Sequence, residues 1–214
     1  NPYATISKAE SVLEANKAAD LGRIVISGSL NFTAATHTKM ITITSNGNSS
    51  AVLNIAPANN ATNIAGPTTF ENITLTGSYD VNQGQLQTQQ SELVIGDGVT
   101  FTGDKNNYFR IGAYDAALGN QQGIGTVPTF VFNGVTHSNS SKSVYLRIGT
   151  GYGNYMNGAN VTVNGGKVNE INFHRATQFT QNVNIVINGG TIGKIYRQDA
   201  SGNDAFKKEQ YIFH

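Results

Sequence analysis

The chain has 214 residues, contains no cysteine and carries a formal net charge of +1. These values exclude a disulfide framework, a thiolate zinc site and a cysteine nucleophile, and they give no reason to expect nucleic acid as a partner. Charged residues make up only 13% of the chain, against about 25% in ordinary globular domains, and Asn, Thr, Gly and Ser take their place. No apolar run approaches the roughly 18 residues of a membrane span, so no membrane insertion is expected. One domain, residues 1–214, is the prediction for this length.

An amphipathic helix is the first predicted element, at about residues 3–19. Its apolar face comprises Ile6, Ala9, Val12 and Leu13, and its polar face comprises Glu10, Glu14 and Lys17. Thr5 or Ser7 is placed to cap the first turn, and Asp20 and Gly22 mark the end of the helix.

From residue 23 to about residue 200, the chain repeats a strand, a tight turn and a second strand. The clearest copies are residues 161–168 (VTVNGGKV) and 185–192 (IVINGGTI). Related turns contain Asp97-Gly98 and Asn133-Gly134, so the four turns are 36, 31 and 24 residues apart in chain order. A strand-turn-strand unit that restarts in this way predicts a β-solenoid, in which insertions of varying length form loops on one face.

Alternate residues of stacked parallel strands should fill the interior. The predicted inward residues are Phe109, Ile111, Val144, Leu146 and Ile148. The predicted outward residues are Thr42, Thr44, Thr74, Thr162 and Asn184. The turn residues Asn133, Asn164 and Asn188 are expected to form an amide ladder, in which each side chain bonds the one in the next repeat.

The beginning of the chain resembles a known family. Residues 3–6 (YATI), the amphipathic helix and residues 22–26 (GRIVI) resemble the opening of proteins of the pectin-lyase-like superfamily. The resemblance implies an all-β fold, a right-handed single-stranded parallel β-helix (β-solenoid), whose short N-terminal helix covers the open end. Residues 201–214 are then expected to cover the other end or to form the last strand. Residues 40–99 also resemble solenoid segments of large bacterial surface proteins, which implies an extracellular or cell-surface location.

Three polar or glycine-rich segments are expected to form outward loops: residues 79–90, 118–127 and 150–159. No signal peptide is recognisable. A chain that begins with Asn1-Pro2 is expected to be a mature form or a domain of a longer protein, with other domains beside it.

The candidate site comes from a second repeat, in which residues 108–112 (YFRIG) return as residues 145–149 (YLRIG). With the apolar members inward, the Tyr and Arg side chains of both copies point outward and are expected to stack on neighbouring strands. The pairs at residues 174–175 and 196–197 occupy roughly the same place in later repeats, but the spacing leaves the direction of those side chains open. In register, the four arginines would form a cationic stripe. The predicted ligand-binding residues are Tyr108, Arg110, Tyr145, Arg147, His174, Arg175, Tyr196 and Arg197.

Three functions fit this surface. Arginine offers paired donors to carboxylates or sulfates, and tyrosine offers a flat apolar face to a sugar ring. The preferred function is therefore a non-catalytic binding or adhesion module, whose partner is a polysaccharide or cell-surface glycan. The second is a structural spacer that holds other domains away from the cell. The third, implied by the family resemblance, is a polysaccharide lyase or glycoside hydrolase.

An enzyme of that superfamily would need an Arg or Lys base with acidic calcium ligands, or clustered carboxylates. The aspartates of this chain are dispersed, and its four histidines show no metal-ligand spacing. No metal site and no cofactor are therefore expected, and catalytic residues stay unassigned.

Overall fold

The computed structural model describes residues 3–15, 21–32, 34–35, 37–55, 62–77, 86–88, 91–112, 127–149, 155–174, 177–179 and 181–197. These residues are mostly β, with parallel sheets and one short helix, which is compatible with the predicted all-β parallel solenoid. No helix among them combines the length and the apolar character that a membrane crossing requires. The predicted C-terminal cap at residues 201–214 and most of the three predicted loops lie outside the described residues.

The helix and the strands are short, with two to seven residues in each strand. They are α1 (Ile6–Ala15), β1 (Leu21–Val25), β2 (Leu30–Asn31), β3 (Ala34–Ala35), β4 (Met40–Thr44), β5 (Val52–Asn54), β6 (Thr62–Ile64), β7 (Thr68–Glu71), β8 (Thr74–Thr76), β9 (Leu86–Thr88), β10 (Glu92–Ile95), β11 (Thr100–Thr102), β12 (Asn107–Ile111), β13 (Thr129–Phe132), β14 (Thr136–His137), β15 (Val144–Ile148), β16 (Tyr155–Met156), β17 (Ala159–Val163), β18 (Lys167–Phe173), β19 (Gln178–Phe179), β20 (Val183–Ile187) and β21 (Thr191–Arg197).

Three parallel sheets contain all of these strands except β16 and β19, which pair with each other. Sheet A has the order β1-β4-β7-β10-β13-β17-β20, sheet B has β2-β5-β8-β11-β14, and sheet C has β3-β6-β9-β12-β15-β18-β21. The chain visits A, B and C in that order five times, and we call each passage a round. Rounds six and seven, β17–β18 and β20–β21, pass from sheet A to sheet C without a strand in sheet B.

The inward side chains of the sheets form one apolar core. Its largest fully buried members include Phe32, Phe70, Phe101, Phe109, Phe130 and Phe132. All five predicted inward residues are buried, which confirms the predicted alternation. Among the predicted outward residues, the prediction for Thr44 is wrong. Thr44 is fully buried, and its Oγ1 accepts a hydrogen bond from the backbone N–H of Asn46 in the following turn.

The predicted amide ladder is confirmed at the turns that follow sheet A. Nδ2 of Asn188 donates to Oδ1 of Asn164, and Nδ2 of Asn164 donates to Oδ1 of Asn133, both at 2.8 Å. Asn133 in turn donates to Oδ1 of Asp97 at 3.1 Å. The ladder therefore ties rounds four to seven together along one edge.

Helix α1 packs on the core through Ile6, Ala9 and Leu13, as predicted, but two of its residues differ from the prediction. Thr5 caps it, since the Thr5 Oγ1 accepts a hydrogen bond from the backbone N–H of Lys8 at 3.2 Å. Val12, predicted on the apolar face, is 38% exposed, whereas Glu10, predicted on the polar face, is buried. The Glu10 Oε1 lies 3.0 Å from Nδ1 of His37. A buried carboxyl group needs such a partner, which explains why Glu10 can lie on the buried side of the helix.

Candidate functional site

Two outward rows of side chains run across strands β12, β15, β18 and β21 of sheet C. Strand register aligns the first row as Tyr108, Tyr145, Glu170 and Lys194. It aligns the second row, two positions further along each strand, as Arg110, Arg147, Asn172 and Tyr196. Successive outward residues on one strand point to the same side of the sheet, so the two rows share one surface.

The tyrosines of the first row stack as expected. The ring centroids of Tyr108 and Tyr145 are 4.6 Å apart, with 17° between the ring planes. Both strands hold their rings by burying the next residue, Phe109 or Leu146, in the core. The result is a rigid pair of partly buried aromatic rings on neighbouring strands.

The arginines of the second row are aligned as predicted but do not form an exposed cationic stripe. Arg110 is only 4% exposed and Arg147 only 9% exposed. Burial lowers the pKa of Arg147, while the nearby Tyr196, Tyr108 and Glu170 act in the opposite direction. An arginine keeps its proton in proteins, so these are buried positive charges whose surroundings must stabilise them.

A bulge separates the arginines from the later members of the row. Val144 pairs with Val168, but the next residue, Tyr145, pairs with Glu170, so Asn169 is an extra residue in β18. Bulges of this kind redirect side chains and are common beside functional sites. Here the bulge places Glu170 next to Tyr145 and Asn172 next to Arg147.

Tyr196 closes the second row. Its hydroxyl donates to Oε2 of Glu170 at 2.9 Å, and Nζ of Lys194 lies 3.9 Å from its ring centroid. Burial and the contact with the Glu170 carboxylate raise the pKa of the Tyr196 hydroxyl. The phenol is therefore neutral at physiological pH and acts as a hydrogen-bond donor.

A depression of about 240 Å³ lies where the two rows meet. The lining comprises Tyr108, Tyr145, Leu146, Arg147, Glu170, Asn172 and Tyr196. It combines aromatic faces, a carboxylate, an amide and a guanidinium group, which together can hold a small polar ligand by stacking and hydrogen bonds.

The remaining predicted site residues lie elsewhere. The backbone N–H of His174 bonds the carbonyl oxygen of Ile148, which places His174 beyond the end of both rows. Arg197 pairs in register with Phe173, in the row of Ile111 and Ile148, so the predicted arginine stripe does not include it. Its Nη2 donates to the carbonyl oxygen of Thr177 at 3.1 Å. Arg175 lies outside the described residues.

Sequence reasoning missed Asn172 and Glu170 as site residues. A signal was present in the apolar spacing. Val168 and Ile171 are three residues apart, as are Ile192 and Ile195, and regular alternation would place them two or four apart. An odd spacing in both copies indicates an extra residue in the strand. When that residue is skipped in the alignment, Asn172 and Tyr196 fall in the same row as Arg147.

Comparison with protein-family models, with curated proteins and with solved structures found no match to this chain. Within the described residues, no three or more His, Asp or Glu side chains come together as a group able to hold a metal ion. The geometry of the two rows is therefore what indicates a function for this chain.

Proposed function

We propose that the chain is an extracellular, non-catalytic glycan-binding module of a larger surface protein, built as a right-handed single-stranded parallel β-helix. The cyclic order of the three parallel sheets supports that architecture. Its hand follows from the general preference of crossovers between parallel strands, about 98% of which are right-handed. The superfamily resemblance of residues 3–26 stays an expectation about ancestry.

The stacked tyrosine pair beside the depression is the observation that supports glycan binding. Tyr108 and Tyr145 stack two nearly parallel rings, with centroids 4.6 Å apart, at the edge of a depression lined by polar groups. A sugar ring has apolar C–H faces and a polar rim, so an aromatic surface beside hydrogen-bonding groups matches both parts.

The spacer alternative has support of its own. The amide ladder from Asp97 to Asn188 stiffens one edge of the molecule and needs no ligand to explain it. A spacer would, however, leave the stacked tyrosines and the polar depression beside them without a role.

A glycan array and affinity electrophoresis can separate the two functions. Because Arg110 and Arg147 are buried, their removal would confound binding with folding, so the tyrosines are the better targets. We expect Tyr108→Ala/Tyr145→Ala to lose at least about tenfold in affinity for whichever glycan the wild type binds, since stacked aromatic contacts dominate such sites.

Tyr3→Ala is the matched control, because Tyr3 is 49% exposed and lies next to α1 rather than in the site. It should bind as the wild type does. If the wild type binds no polyuronate, sulfated glycan or neutral polysaccharide, the binding proposal fails and the spacer function is preferred.

A further inference from the structure

Asn172 has a side chain whose position the fold does not explain. It lies in the second row between Arg147 and Tyr196, and it is only 3% exposed. Neither its Nδ2 nor its Oδ1 makes a hydrogen bond with any residue that the structure describes. The amide lies near the Tyr196 hydroxyl and opposes the rise in its pKa, but it does not reach hydrogen-bond geometry.

A buried amide without hydrogen bonds is costly, and an apolar side chain of similar volume would avoid that cost. Asn172 also lines the depression, together with Arg147, Glu170 and Tyr196. The amide therefore offers one unsatisfied donor and one unsatisfied acceptor, side by side at the wall of the depression. A ligand with a matching acceptor and donor would satisfy both.

The depression is lined by one guanidinium group, of Arg147, and one carboxylate, of Glu170, and this balance favours an uncharged ligand. The positive charge of Arg147 is already opposed by the nearby carboxylate of Glu170, and the guanidinium group is mostly buried. A ligand carboxylate or sulfate would meet Glu170 in the same depression and be repelled by it. A hydroxyl group can instead donate to Glu170.

We propose that Asn172 is a specificity-determining residue of this site and that it binds two adjacent hydroxyl groups of a neutral sugar. Its Nδ2 donates to the oxygen of one hydroxyl, and its Oδ1 accepts from the neighbouring hydroxyl. This inference rests on the proposed glycan-binding function and narrows it to uncharged sugars.

Access to the amide requires a small movement, since neighbouring side chains screen both amide atoms from water. We infer that this movement is made by Tyr196, which belongs to β21, at the end of sheet C in the described part of the chain. Its hydroxyl is held by Glu170. A sugar hydroxyl that takes over the hydrogen bond to Glu170 frees the Tyr196 hydroxyl, so that the Tyr196 side chain can move away from the amide.

The first test measures affinity and thermal stability on the same variants. Neutral oligosaccharides of glucose, mannose and galactose, an oligouronate and a sulfated oligosaccharide are the probes. We expect Asn172→Leu to keep or raise Tm and to weaken binding of the neutral probe by about tenfold or more. Asn184→Leu is the control, because it makes the same change at an exposed position on β20, in sheet A. It should leave affinity unchanged.

A second measurement needs only the wild type, so it holds even if a variant fails to fold. Monodeoxy derivatives of the bound sugar should compete normally, except for those lacking either of two adjacent hydroxyls. The inference would be overturned if Asn172→Leu bound the neutral probe as well as the wild type does. It would also be overturned if the deoxy sugars that fail to compete did not lack adjacent hydroxyls. Binding of only the charged probes would also overturn it while leaving glycan binding intact. Binding of no probe at all would remove the proposed function itself.

Discussion

Rounds one to five and rounds six and seven bury their inward side chains with different sets of strands. The earlier rounds enclose a three-sided interior, which phenylalanines fill, as at Phe70, Phe101 and Phe132. The last two rounds omit sheet B and turn directly from sheet A to sheet C at the Asn-Gly-Gly turns. Their buried residues include the aliphatic Val161, Val163 and Ile171 and also Met156 of the β16–β19 pair.

Glycine allows the turns that follow sheet A in the last two rounds to stack closely. Gly166 and Gly190 have positive φ angles of 75° and 87°. A Cβ atom built on Gly166 would lie 2.7 Å from the Cα of Gly134, and one on Gly190 would lie 2.5 Å from the carbonyl oxygen of Gly166. Successive turns thus stack backbone against backbone, which only glycine permits.

The candidate site lies across the boundary between the two regions. Tyr108 and Tyr145 belong to three-sheet rounds, whereas Glu170 and Tyr196 belong to two-sheet rounds. The bulge between β15 and β18 is at this boundary. The loss of the sheet B strand therefore coincides with the change in the outward rows from tyrosine and arginine to acidic and amide side chains.

The largest expected effect on stability comes from shortening inward side chains at two positions of one row in sheet A. Phe132, Val163 and Ile187 are aligned in sheet A, but Phe132 is fully buried and Ile187 is 41% exposed. We expect Phe132→Ala to lower the free energy of unfolding by about 3–5 kcal/mol, and Ile187→Ala by about 1 kcal/mol. Urea unfolding followed by circular dichroism measures both. Equal losses would contradict the view that the last round contributes less to the core.

The next effect concerns the stacked turns. Gly166→Ala should lower the free energy of unfolding by about 2–3 kcal/mol, because alanine is strained at positive φ and its methyl group meets the backbone of Gly134. Gly28→Ala is the control, since a Cβ atom there meets nothing within 4 Å. It should change stability by less than about 0.5 kcal/mol. A tolerant Gly166 would mean that the short turn does not depend on close backbone stacking.

The smallest effect concerns the last strand of sheet B. Burial lowers the pKa of His137, the Lys105 carbonyl contact opposes this, and Lys142 adds to it. The folded state therefore binds a proton less readily than the unfolded state. Stability should be complete above the ordinary histidine pKa of about 6.5 and should fall as the pH drops through the lower folded value.

Proton NMR titration of the His137 ring should give a pKa below that of an unfolded histidine. His137→Gln should weaken the acid-side loss of stability in urea unfolding at several pH values. A His137 pKa at or above the ordinary value would show that the end of sheet B is open to solvent.

Local residue pattern alone determined the alternation of the strands, the turns and the ladder. Asn133, Asn164 and Asn188 recur before glycine at each turn, and short alternating strands follow, so stacking them in register needed no further information. The outward position of the first Tyr/Arg pair also followed, because Phe109 and Ile111 have to be inward.

Tertiary structure decided what local pattern leaves open. Helical periodicity could not place Glu10, because its partner His37 is 27 residues away in the chain. The burial of Arg110 and Arg147 could not be predicted from the sequence either. Strand alternation predicts which side of the sheet a side chain points to, but not which residues cover it. The single extra residue Asn169 shifts the register of β18 against β15, and that long-range pairing alone brings Asn172 and Glu170 to the tyrosines.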